Sequence, residues 1–338
     1  MGPMTKRGHV VLKAGMVTSI GSLPHRDADA AAAFILRQHP ELPAAPQLPR
    51  RSPLEGMIAQ AARGIGGVTV LPDGSLRIDG GALDATDAAG ALDSHSHAGL
   101  LAFLAESAGR SGPVKVQLTG PVTLGLALAD AGVPSDAAFL AAAAAVQVTA
   151  TALVTLVRRR LADAPLVLFL DEPGLTRAAE LPFGVDATID LLSSALAAVE
   201  NDVITGVHCC GPAEWRLASA AGATILSMPV ERVWALSNAA AITAHLERGG
   251  WVAWGGVPTS EPVGTDVERL WRRLTGVWSD LASAGCDPVL LRRQALVTPA
   301  CGLAGHGITQ AARALRLAGQ LGDRVAELTG GARRSAPA

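Results

Sequence analysis

Five short stretches hold the residues whose types and spacing could do chemistry. His208 and Cys210 form an H-x-C pair, and Cys301 stands in Pro299-Ala300-Cys301-Gly302. Asp171 and Glu172 are adjacent in Leu170-Asp171-Glu172-Pro173. Gly21 and Ser22 stand in Ile20-Gly21-Ser22-Leu23-Pro24, and a fifth stretch reads Leu118-Thr119-Gly120-Pro121. Two thiolates and one imidazole suit zinc better than magnesium or calcium, which prefer oxygen ligands. Three protein ligands with one open position is the usual form of a catalytic zinc site. Such an electron-rich set is a poor Lewis acid for cutting amides. It suits a substrate thiol bound as thiolate, the nucleophilic form. H-x-C alone reads first as chance packing of buried residues. Joined to a late cysteine in P-x-C-G, it reads better as the metal set His208, Cys210 and Cys301.

The remaining polar residues divide less sharply. Asp171 and Glu172 suit acid–base work or a substrate ammonium group, and Asp171 suits equally well the capping of the next segment. Gly21 and Ser22 offer backbone N–H groups and a hydroxyl for a substrate carboxylate. By themselves they read first as an ordinary strand-to-helix turn. Cys209 alternates away from its neighbours on a strand and is expected in the apolar layer. Cys286, between Ala284-Gly285 and Asp287-Pro288, reads as a helix end. His95 and His97 read as a polar helix start. Glu231, Arg232, Arg50 and Arg51 read as surface or loop charges.

These residues need elements to aim them at one point. Short apolar runs recur at Val17–Ser22, Ala44–Leu48, Val114–Leu118, Leu166–Leu170, Ile204–Cys209, Ala223–Met228, Trp251–Gly256 and Ala295–Pro299. Helical segments lie between most of them, the clearest after Asp27, Ser135, Asp186, Gly211, Ser237, Thr265 and His306. Eight strands alternating with helices predict an α/β fold, a single (β/α)8 TIM barrel, whose site lies at the C-terminal strand ends. All five stretches fall at such ends. No G-x-G-x-x-G follows the first strand to support a dinucleotide-binding sheet. Val68–Leu71 and Ser75–Ile78 flank Pro72-Asp73-Gly74, a hairpin signal. It marks an insertion at about residues 64–94. Residues 1–330 read as one domain, and 331–338 as a disordered tail.

Composition excludes several classes. The 338 residues carry a formal charge of −2, without the basic surplus that nucleic acid requires. Tyrosine is absent and aromatics are scarce, so base-stacking surfaces are not expected. Four cysteines in so long a chain are no disulfide scaffold. The first residues do not read as a secretory signal, and the alanine-rich stretch after Ser135 reaches charges too soon for a membrane span. A cytoplasmic protein with no membrane partner is expected.

In order, S-I-G-S-L-P, L-T-G-P-V-T at Leu118–Thr123, D-E-P at Asp171–Pro173, H-x-C at His208–Cys210 and P-x-C-G at Pro299–Gly302 resemble one known pattern. It is the catalytic barrel of cobalamin-independent methionine synthase. The likeness extends to its superfamily with uroporphyrinogen decarboxylase and zinc thiol methyltransferases, and covers nearly the whole chain. L-T-G-P is shared across that superfamily, whereas H-x-C with a late cysteine is the specific part. The resemblance implies zinc on His208, Cys210 and Cys301, and methionine biosynthesis by methyl transfer to homocysteine. It sets Gly21 and Ser22 near the substrate carboxylate and Asp171 near the amine. The donor it implies is methyl-folate or a methylcorrinoid protein.

Three departures bear on the acceptor and donor. The family's glutamate ligand after the next strand has only the displaced Glu231 as counterpart. Its substrate-binding glutamate falls where this chain reads Pro49-Arg50-Arg51-Ser52, and its acid–base histidine is missing from residues 256–261. Two other functions fit the same residues. One is a metal-free, uroporphyrinogen decarboxylase-like lyase. The other is a non-catalytic barrel.

Overall fold

The computed structural model describes residues 11–85, 87, 92–199, 201 and 203–330. The expected tail at 331–338 lies outside these. A small antiparallel hairpin, β1 (Val68–Val70) and β2 (Leu76–Ile78), turns through Gly74, whose φ of 85° suits a residue without a Cβ. It is the hairpin expected from Pro72-Asp73-Gly74.

Six parallel strands follow: β3 (Val114–Thr119), β4 (Leu166–Asp171), β5 (Ile204–His208), β6 (Ile225–Pro229), β7 (Trp251–Val257) and β8 (Ala295–Pro299). Each pairs with the next in chain order to make one curled sheet. The strands are buried nearly end to end, as a parallel sheet covered on both faces requires. Helices α1 (Ala28–Gln38), α2 (Met57–Ala62), α3 (Ala98–Glu106), α4 (Pro121–Asp130), α5 (Ser135–Arg160) and α6 (Val185–Ala197) belong to the first half. Helices α7 (Trp215–Ala220), α8 (Arg232–Ser237), α9 (Ala239–Glu247), α10 (Val267–Ser283), α11 (Pro288–Arg293) and α12 (Ile308–Leu328) belong to the second. By length and composition alone α5 could cross a membrane. In the fold it lies against α4 and α6, with Phe139, Leu153 and Val157 buried.

The first two expected strands are not regular strands. Val17–Ser22 and Ala44–Leu48 take part only in isolated parallel bridges, Val17 with Val297, Ser22 with Gln47, and Ala44 with Lys115. The reason is local. Pro43 and Pro46 have no N–H to donate, and Gly21 breaks the extended run with a φ of 136°. The described sheet is therefore six-stranded, with two bridged segments between β8 and β3.

Side chains alternate across this sheet. One set meets the helices and forms the main core. The other faces the concave side, where Met16, Leu42, Val167, Phe169, Ile225, Ala253 and Leu296 make a separate apolar cluster. Toward the C-terminal ends the same set becomes polar: Asp171, His208 and Ser227 are neighbours in register on β4, β5 and β6.

Candidate metal centre

His208 is the last residue of β5. Its ring is fixed from below, with Nδ1 3.2 Å from the Ser227 carbonyl and 3.0 Å from the Ser227 hydroxyl. The carbonyl can only accept, so Nδ1 carries the proton and the lone pair is on Nε2. Nε2 is buried and has no partner. This is the arrangement in which a histidine presents a ligand atom to a metal while its other nitrogen sets the ring.

Beyond His208 the chain leaves the strand. Cys209 is fully buried, and burial pushes its thiol up to about 12. Cys210 turns the other way. Cys301 comes from the loop after β8, where the Ala300 N–H donates to the Val257 carbonyl at 2.8 Å. That loop crosses β7 at Gly255, where any Cβ would press on the Ala300 backbone. The imidazole nitrogen and the two sulfurs all lie within 4.8 Å of one another. The neighbouring Cys301 thiol, and next the His208 ring, hold the Cys210 thiol well below the ordinary thiol range. Cys301 is correspondingly raised, by Cys210 and then by burial. The pair thus shares a proton, one sulfur ionising first. The donor set and the unpartnered Nε2 both fit a soft divalent metal.

The two acids of D-E-P have different surroundings. Asp171 is buried and its Oδ1 has no partner. Burial raises its pKa to about 6, opposed by Lys115 and His208. Glu172 instead accepts from the Val122 N–H at 2.9 Å, the Thr123 N–H at 2.8 Å and the Thr123 hydroxyl at 2.5 Å. It therefore caps the N-terminus of α4. Burial, again the larger effect, raises it to about 7 against those bonds. Gly120 is the residue that lets this carboxylate in, since a Cβ there would collide with it. The L-T-G-P and D-E-P stretches are one structural unit.

Gly21 packs against the side chain of Gln117, and Ser22 against Gly302 beside Cys301. A cleft of about 360 Å³ opens over both sulfurs, walled by Trp234, Gly255, Arg273 and Gly302. Glu231 lines its rim and pairs with Arg273, outside the three-residue group. His95 is exposed beside Asp93, and His97 bonds the Ser96 hydroxyl at 2.9 Å. Both serve the loop before α3.

Two buried charged residues escaped the sequence reading. Glu55 accepts from Arg51 at 2.8 Å and from the Leu48 N–H at 3.2 Å. Arg51 is thus occupied by a carboxylate four residues on. Lys115 is fully buried on β3 and burial lowers it to about 8, against the pull of Asp171. Its one signal in the sequence is a lone lysine among the apolar residues of Val114–Leu118.

No family model and no curated protein matches this sequence. Among solved structures the fold is similar to a methyltransferase from Methanosarcina mazei, with a TM-score of 0.58 and 17% identity. The match covers 92% of this chain and 94% of that one, so the two share a fold along nearly their whole lengths.

Proposed function

We propose that this chain is a zinc-dependent methyltransferase that moves a methyl group onto a small thiol, with homocysteine, giving methionine, as the acceptor. The observation that supports this most directly is the group of a His208 ring nitrogen and two cysteine sulfurs within 4.8 Å of one another. A buried nitrogen without a partner costs about 1–3 kcal/mol. A metal ion at that point removes the cost. Two sulfurs and a nitrogen favour zinc. The shared fold with a protein named a methyltransferase supports group transfer. We read the two bridged segments as the remaining staves of an eight-stranded barrel in a single domain.

When bound there, zinc supplies the positive charge that keeps an incoming thiol ionised near neutral pH. The chain's own residues do the rest. Ser227 holds the His208 ring in one tautomer. The free Oδ1 of Asp171 accepts from the acceptor's ammonium group, and the Gly21-Ser22 turn receives its carboxylate. Glu172 is a positioning residue that holds α4 against β4. The methyl donor, a methyl-folate or a methylcorrinoid, would approach the sulfurs through the open mouth of this cleft.

The test is elemental analysis of protein prepared without chelator, followed by assay with homocysteine and either methylcobalamin or methyl-folate. One zinc per chain and a methylated thiol are expected. A zinc-free protein overturns the reading, and decarboxylation of a carboxylated tetrapyrrole by it would establish a lyase instead. Zinc without turnover of any thiol would leave a metal-binding barrel that is no methyltransferase.

A further inference from the structure

Lys115 lies inside the curled sheet with no exposed surface. Burying an ammonium group is costly unless its donors are met. Here Nζ donates to the Ile20 carbonyl at 2.9 Å and to Gln117 Oε1 at 2.9 Å, over the face of Phe169 at 4.6 Å. Both bonded acceptors are neutral, and one belongs to a segment that is not beside β3. Between them runs the segment that bridges Ala44 to Lys115 and Gln47 to Ser22. Lys115 therefore reaches past that segment to hold the one beyond it, where prolines have interrupted the ladder.

The contact continues toward the metal centre. Gly21 follows Ile20 and packs on Gln117, which Lys115 also holds. Ser22 accepts the Leu303 N–H on its carbonyl at 2.9 Å. Gly302 approaches Ser22 so closely that a Cβ would collide with the serine hydroxyl. The Cys301 loop thus rests at one end on Val257 and at the other on Ser22.

We propose that Lys115 is a positioning residue of the metal centre: by holding the Ile20 carbonyl it fixes the Gly21-Ser22 turn, and through Gly302 it sets Cys301 against His208 and Cys210. The inference rests on reading those three residues as a metal site. Its test uses cobalt(II) as the probe, titrated into the full chain against a competing chelator. Lys115→Met keeps the apolar stem and removes the ammonium group. It is expected to bind cobalt about 10- to 100-fold more weakly, as loss of an outer partner does. Its thiolate-to-cobalt absorption at saturation should fall as Cys301 drops out. Gly302→Ala disturbs the same link without touching the buried charge, so it should weaken binding too. Ser22→Ala/Gly302→Ala relieves the collision and should recover much of the affinity. Wild-type affinity and spectrum in Lys115→Met, even with a lowered melting temperature, would overturn the proposal. If Lys115→Met does not fold, unchanged binding in Gly302→Ala overturns it. A wild-type chain that binds neither cobalt nor zinc refutes the metal reading itself, a separate outcome.

Discussion

Cys209 and Cys210 are adjacent and have opposite surroundings. The first is sealed in the core with its thiol toward the Gly211 carbonyl, and the second opens onto the cleft beside Cys301. Cys210→Ser and Cys301→Ser should therefore lose zinc, because a hydroxyl is a poor ligand for it. Cys209→Ala should keep zinc and lose on the order of 1 kcal/mol of stability. Zinc content and circular dichroism across the three variants decide it; loss of zinc in Cys209→Ala with retention in Cys210→Ser would reverse the assignment. The sulfurs and the histidine were legible in the sequence because side-chain alternation and strand ends are local properties. The division of labour between Asp171 and Glu172 was not. Which of two neighbouring acids meets the N-terminus of α4 depends on how two βα units pack. Glu172→Gln should cost about 1–3 kcal/mol, since an N–H of α4 loses its acceptor. Denaturant unfolding measures this, and zinc content should stay at the wild-type level. A variant of full stability would show that the cap is dispensable.

At the scale of elements, six of eight expected strands appear within one or two residues of their predicted bounds, because each is an apolar run between turn signals. The first two escaped regular pairing for reasons also written in the sequence, Pro43, Pro46 and Gly21, but the eightfold alternation masks them. The layer between strands and helices holds titratable groups as well. His245 of α9 contacts the Ser219 hydroxyl of α7 at 3.1 Å and the Trp251 carbonyl of β7 at 3.2 Å. Burial lowers its pKa below the ordinary 6.5. In the window below that value the unfolded chain binds a proton that the folded one refuses, so stability rises with pH there and is lost on acidification. His25, lowered by burial beside Phe34, acts in the same direction. His245→Gln should flatten the slope of unfolding free energy between pH 5 and 7 relative to wild type. An unchanged slope would mean that His245 takes up its proton equally in the folded and unfolded chain.

Over the whole molecule, the apolar core extends through every helix layer and does not depend on the candidate metal centre, which occupies one end of the sheet. The α/β alternation that fills the sequence was legible for the same reason: a large core needs repeated apolar runs wherever the site lies. Metal should therefore add to stability without creating the fold. A ligand that binds only the native state stabilises by about 4 kcal/mol at a thousand times its Kd. In a chain of 338 residues that raises Tm by about 6 °C, and the rise should grow with the logarithm of zinc concentration. Chelated protein should keep its far-ultraviolet circular dichroism and a cooperative transition. Cys210→Ser should melt near the chelated wild type and ignore added zinc. Collapse of the secondary structure on chelation would make the centre structural, because a metal held only for chemistry at the mouth has no such hold on the helices around it.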